Sequence, residues 1–181
     1  MSRPPHAREQ VLDAFERLLV DEGERAATMD ATARAAGVSK GGLLYHFASK
    51  DGLERALLER LGTLVEEDLT AMASAPEGAV AFFVRTSVMD DDALDRALIA
   101  TSRLAQGGHV GAAETLRGVR ARWEQALRPH VRDDTALALV LLVSDGLYYN
   151  NALSAAEVSG PVPRGAGLDA LVALVEASVR A

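Results

Sequence analysis

Apolar residues return along this chain at helical spacing, and the strict alternation of a half-buried strand is scarce. The first run predicts a helix over about residues 6–22, with Val11, Leu12, Phe15, Leu18 and Leu19 as its stripe and Gly23 suited to its C-terminal cap. Thr28 is placed to cap a short second helix with Ala31, Ala33 and Ala36 as small packing residues, and Gly37 ends it. Val38 leads into a third short helix capped by Ser39. Ser49 opens a long fourth, "KDGLERALLERLGTLVEEDLTAM", lined on one side by Leu53, Leu57, Leu61, Leu64 and Leu69.

The pattern breaks at residues 73–78, where Pro76 fits a first helical position, and a fifth helix is predicted to about Met89. Asp90 to Asp92 offer acidic caps for a sixth, running to about Ala105. A glycine-rich turn at 106–111 precedes a seventh helix carrying Leu116, Val119, Trp123 and Leu127, which ends near Pro129. The eighth begins after Asp133 or Asp134 and reaches about Ala156. Pro161 and Pro163 make 157–167 the clearest loop, and a ninth helix, Leu168 to about Arg180, closes the pattern. The expectation is an all-α fold of about nine helices.

Composition narrows the classes. A chain of 181 residues that is 49% hydrophobic can bury a sizeable core. Its longest apolar run, Ala136 to Val143, is far below the ~18 residues that a membrane span needs, and the N-terminus has no signal-peptide core. With no cysteine there are no disulfides, thiolate metal sites or cysteine nucleophiles. A soluble cytoplasmic protein is expected. The net charge is −7, yet residues 1–52 carry seven Lys and Arg against eight Asp and Glu, so the negative excess lies downstream. Any surface for nucleic acid must therefore be a local patch.

One stretch asks for such a partner. "VSKGGLLYHF", residues 38–47, places two glycines side by side at the start of a helix, followed by an aromatic and an imidazole. The only two lysines of the chain stand before and after these residues, Lys40 just ahead of the glycines and Lys50 beyond Phe47. Two short helices joined by a turn containing Gly37 have the spacing of a helix-turn-helix. Leu43 and Phe47 share an inward face, whereas Lys40 and Leu44, Gly41 and Tyr45, and Gly42 and His46 pair on faces predicted to be exposed. Each glycine inside a helix costs about 1 kcal/mol relative to alanine. That cost is reasonable where backbone must come close to something, and a DNA major groove admits a helix. Lys40, Lys50, Tyr45 and His46 are groups that bond phosphate.

The segment "TMDATARAAGVSKGGLLYHFASKDGL", residues 28–53, resembles the DNA-binding segment of TetR-family transcriptional repressors, and the likeness extends over about residues 8–60. The resemblance implies that Thr28 caps the second helix and touches phosphate, that Ser39, Lys40 and Gly41 bring the recognition helix onto DNA, that Tyr45, His46 and Lys50 contact the backbone, and that Gly42 faces bases. Two positions depart from the family pattern. Leu44 stands where a tyrosine or other polar residue is common, and an apolar touch on a thymine methyl would replace that contact. Thr32 replaces a branched apolar residue and is expected to back-bond to a helix carbonyl. The plain alternatives are Ser39 as a cap alone and His46 as a surface histidine. Arg3 and Arg8 are read as solvated.

By the same resemblance, residues 1–48 form the helix-turn-helix domain and 49–181 the effector-binding and dimerisation domain, with a homodimer formed through the last two helices. "TALALVLLVSDGLYYNNAL" is apolar nearly all round, as burial on several sides requires. Phe82, Phe83, Trp123, Asp145, Tyr148 and Tyr149 are the candidates for lining a pocket for an unknown small molecule, against the alternative of core packing. A double-stranded DNA operator is the expected partner. No cofactor, metal site or catalytic residue is expected. Ser144 with Asp145 and His130 has no nucleophile-elbow pattern, and His130 with Asp133 and Asp134, or His109 with Glu114, lacks metal-site spacing. The competing reading is a helical ligand-binding or interaction protein that has lost DNA binding.

Overall fold

The structure is a computed structural model that describes residues 4–88, 91–154 and 160–180. Among the described residues the fold is all-α, with nine α-helices and no strand. They are α1 (Pro4–Glu22), α2 (Met29–Ala35), α3 (Lys40–His46), α4 (Lys50–Ala73), α5 (Ala79–Thr86), α6 (Ala93–Gln106), α7 (Val110–Leu127), α8 (Asp134–Ser154) and α9 (Ala166–Val179), with a 3-10 turn at Arg128–His130. The predicted end of α8 at Ala156 and the start of the following loop lie outside the described residues. No helix among the described residues is long and apolar enough to cross a membrane. The chain divides into two compact units, residues 1–65 with 91–119 and residues 66–90 with 120–181.

In the first unit α1 packs on α2, α3 and α6. Phe15, Leu19, Leu43, Leu53 and Leu57 have no exposed surface and share one cluster with Val11, Leu12, Phe47 and Leu104. Full burial of a Leu or Phe side chain is worth about 1.5–3 kcal/mol, so Leu43 and Phe47 are strong anchors for a helix only seven residues long. The α4 stripe runs through Leu53, Leu57, Leu61 and Val65, while Leu64 is only half buried.

Charge also ties α1 to α4 and α6. Arg60 on α4 reaches Glu9 at 2.7 Å, Asp13 at 2.8 Å and Glu16 at 3.2 Å. Arg96 on α6 meets the other oxygen of Glu16 at 3.5 Å. Burial pushes the Glu16 carboxyl above the ordinary glutamate range, against the pull of Arg60 and Arg96. Glu9 is held below that range, first by its hydrogen bond from Arg60.

Two helix starts differ from the sequence reading or sharpen it. Pro76 does not begin α5. It sits inside a turn closed by the Gly78 N–H donating to the Ala75 carbonyl at 3.0 Å, and Gly78, at φ +92°, leads into a helix starting at Ala79. Proline at the second position of such a turn is favoured because its ring presets φ. Of the three aspartates before α6, Asp92 is the cap. Its carboxylate accepts from the Asp95 N–H at 2.9 Å, and Asp95 reaches back to the Asp92 N–H in a capping box.

The second unit is built from α5, α8 and α9 with the C-terminal parts of α4 and α7. Val84, Leu127, Val140, Val172, Val175 and Val179 form its buried centre. Ser144, inside the apolar α8, is satisfied by the Ser87 hydroxyl at 2.7 Å, and Ser87 donates to the Phe83 carbonyl at 2.6 Å. The Arg132 N–H donates to the Val179 carbonyl at 3.0 Å, tying the start of α8 to the end of α9.

Candidate nucleic-acid interface

Three consecutive helices begin the same way. The Thr28 hydroxyl accepts from the Ala31 N–H at 3.2 Å, the Ser39 hydroxyl from the Gly42 N–H at 3.1 Å, and the Ser49 hydroxyl from the Gly52 N–H at 3.2 Å. Each cap satisfies a donor that the helix itself cannot. Between α2 and α3 the chain reverses at Gly37, whose φ of +67° suits glycine. The Gly37 N–H donates to the Arg34 carbonyl at 3.1 Å and the Val38 N–H to the Ala33 carbonyl at 3.0 Å. This pair of bonds closes α2 as a Schellman motif and sets the entry of α3. Thr32 is buried and donates to the Thr28 carbonyl at 2.8 Å, which lets a hydroxyl stand in the packed face of α2.

With Leu43 and Phe47 inserted in the core, α3 turns its opposite side outward. Tyr45 is 81% exposed and Leu44 43% exposed. His46 is half buried, its ring edge-on to Tyr45 at 5.1 Å. Lys40 and Gly41 are exposed and Gly42 half buried. The glycines are the second and third residues of α3, so their helix penalty is that of a first turn rather than of a helix interior. A Cβ built on Gly41 would meet only the Ser39 hydroxyl at 4.0 Å, and its backbone is ordinary helix. Nothing inside the protein therefore demands glycine there. At Gly42 a Cβ would come within 3.3 Å of that hydroxyl, so part of its reason is internal.

Both lysines have carboxylate partners. Lys40 pairs with Asp30 on α2 at 2.9 Å, an exposed pair. Lys50, at the first position of α4, is bonded to Glu24 and lies 3.7 Å from Glu54. The bond from Lys50 holds the Glu24 carboxyl below the usual glutamate range. Arg8 stacks over the Phe47 ring at 5.0 Å and pairs with Glu9, so it is packed against the end of α3 rather than free in solvent. Arg3 lies outside the described residues. Asp30 and Glu24 were missed at the sequence level because their pairing depends on the α1–α2–α3 path; Glu54, four residues beyond Lys50, was within reach of the helical repeat.

The six residues named for a pocket do not converge. Phe83 and Trp123 meet edge to face at 5.6 Å, and the Trp123 indole N–H donates to Asp68 at 2.8 Å. Phe82 is half buried against the same core, and Tyr148 is half buried on α8. Asp145 instead pairs with Arg120 on the exposed side of α8, and Tyr149 is 65% exposed one turn on. The hydroxyl of Ser144 faces Ser87, away from Asp145, so these two do not form a hydrolytic pair.

The comparisons agree with this arrangement. The family described as "Bacterial regulatory proteins, tetR family" matches residues 11–57, which hold the three capped helix starts and α3. The HTH-type transcriptional regulator BetI of Rhizobium meliloti (strain 1021) is 29% identical over 98% of this chain and 89% of its own length. The HTH-type transcriptional repressor Rv1474c of Mycobacterium tuberculosis (strain ATCC 25618 / H37Rv) is 28% identical over 96% and 92%. Salmonella enterica GusR superposes with a TM-score of 0.66 at 20% identity, covering 99% of this chain and 98% of that one. The helix-turn-helix with capped starts and an outward α3 is the stretch that matches the tetR family, and HTH-type transcriptional regulators match the chain along its length, so its DNA-binding segment is of the TetR type and the chain is a DNA-binding transcriptional regulator.

Proposed function

We propose that this protein is a repressor that docks α3 in the major groove of its operator and leaves when a small molecule binds its other unit. Thr28, Ser39, Lys40, Tyr45, His46 and Lys50 contact phosphate, Gly41 and Gly42 admit the backbone to the groove, and Leu44 offers an apolar contact to a base. In functional terms residues 1–48 read DNA, and 49–181 sense the effector and dimerise. The observation that carries the reading is Gly41, a glycine with open space around it on the exposed start of α3.

Repression is supported by the name of the relative Rv1474c. Regulators of this family bind operators and small-molecule ligands, typically as dimers. Here α8 exposes Leu139, Leu142 and Tyr149 at helical spacing, and α9 exposes Leu174. These apolar positions fit a two-fold contact through the last two helices. Phe83 and Trp123 are the aromatic groups that support an effector site in the second unit. An effector that prefers a form with its reading helices wrongly spaced lowers operator affinity by its differential affinity for the two forms.

The test is fluorescence anisotropy on the DNA beside the protein's own gene across a salt series. Wild type binds with affinity that falls steeply as salt rises, and Lys40→Ala and Tyr45→Ala each weaken binding. Wild-type protein that ignores this DNA and every other duplex at low salt ends the DNA-binding reading.

A further inference from the structure

The first turn of α4 is a poor place for a cation. Lys50 is the first residue of a helix of 24, where the positive end of the helix dipole opposes its ammonium. The structure resolves the conflict with carboxylates from two directions. Glu24, in the turn between α1 and α2, takes a hydrogen bond from Lys50 Nζ, and Glu54 Oε1 lies 3.7 Å from the same atom. Glu54 is buried, and its other oxygen lies 3.5 Å from His109 Nε2. His109 in turn caps α7, its Nδ1 accepting the Ala112 N–H at 3.0 Å. That bond requires the neutral ring to carry its hydrogen on Nε2, which points it at Glu54.

We propose that Glu24 and Glu54 form a carboxylate clamp that holds Lys50 in the free protein, and that DNA binding exchanges Glu24 for a phosphate. The inference rests on the reading of Lys50 as a phosphate ligand. Three features support it. Glu24 is partly exposed, so on release its charge returns to water. Glu54 is not, and the His109 Nε2 lies 3.5 Å from its other oxygen, a contact that does not depend on Lys50. The turn between α6 and α7 touches both jaws. His109 faces Glu54, and Gly107 lies so close to Glu24 that a Cβ there would stand 3.1 Å from Glu24 Cγ. A shift of that turn therefore changes how firmly Lys50 is held. Lys40 with Asp30 is not equivalent, because that pair is largely exposed and a surface pair contributes little.

The clamp makes Glu24 a positioning residue whose charge opposes DNA binding only through Lys50. The test measures binding of a labelled duplex from beside the protein's own gene, over a salt series, for wild type, Lys50→Ala, Glu24→Gln, the double variant and Glu22→Gln. Glu22 is exposed and close in sequence, and its change removes the same charge. Lys50→Ala is expected to weaken binding and flatten the log–log salt slope by about 0.9, one phosphate contact. Glu24→Gln should tighten binding by roughly two- to fivefold, the range of a partly exposed ion pair. Glu22→Gln should do less, and the gain from Glu24→Gln should vanish in the Lys50→Ala background. A carboxyl NMR titration without DNA should show the low Glu24 midpoint returning toward 4.5 in Lys50→Ala. An unchanged salt slope in Lys50→Ala, or an equal gain from Glu24→Gln with and without Lys50, overturns the clamp while DNA binding stands. Wild type that binds no duplex overturns the DNA reading itself, whatever the titration shows.

Discussion

Beyond its chain neighbours and its own helix backbone, a methyl group added at Gly41 would have the Ser39 hydroxyl, at 4.0 Å, as its nearest neighbour. Gly41→Ala is therefore expected to leave folding intact and to raise stability by up to about 1 kcal/mol, since alanine restricts the unfolded chain. Operator affinity should nevertheless drop by tenfold or more, because the methyl would stand between helix backbone and duplex. Thermal unfolding beside anisotropy separates the two effects; a variant that binds as tightly as wild type removes the close-approach argument. At this scale much was legible. The hydroxyl caps at Thr28, Ser39 and Ser49 are local chemistry, set by a side chain and a backbone N–H three residues on. Glu24 as a partner of Lys50 was not legible, because it lies 26 residues away and only packing brings the two together.

Helix starts show the same division among the elements. The capping box of α6 is written within four residues, Asp92 to Asp95, although three aspartates precede the helix and the structure alone shows that Asp92 is the cap. Pro76 fitted either a first helical position or a turn, and the turn through Gly78 prevailed. Arg60 ties α4 to α1, meeting Glu9, Asp13 and Glu16 together. Arg60→Met should cost about 3 kcal/mol at neutral pH, because it leaves the buried Glu16 short of its main partner. The pH dependence has a definite sign. The Glu16 carboxyl already titrates above the ordinary 4.5 in the folded protein, chiefly from burial, and losing Arg60 raises it further. Folding then favours the protonated acid, so the variant is least impaired below 4.5 and loses stability as pH rises through the folded value. Denaturant unfolding at stepped pH checks this; a deficit that does not grow with pH would contradict it.

For the molecule as a whole, the compact units cut across the chain. The first unites residues 1–65 with 91–119, so it is larger than the helix-turn-helix segment and includes α6. α8 reads as apolar nearly all round, yet only one side of it is buried, and Leu142 remains 68% exposed and Tyr149 65%. The proposed homodimer accounts for that face. Leu142→Glu, with Leu174→Glu as a second variant on α9, is expected to convert a dimer to a monomer in light scattering with little change in helix content, and to abolish tight operator binding. A double variant that still runs as a dimer would place the interface elsewhere.

By itself the sequence determined the helices, the hydroxyl caps of α2, α3 and α4, the turn at Gly37 and the exposed composition of α3, because each depends on residues within a few positions of one another. The family likeness was legible for the same reason, since its motif is contiguous from residue 28 to 53. Tertiary structure alone decided which charges meet, that α6 packs on α1, that Asp145 and Tyr149 face outward, and that Phe83 and Trp123 touch. Those outcomes depend on the rotation of each helix about its axis and on contacts between distant segments, which a periodic pattern leaves open when a helix such as α8 is apolar on more than one side.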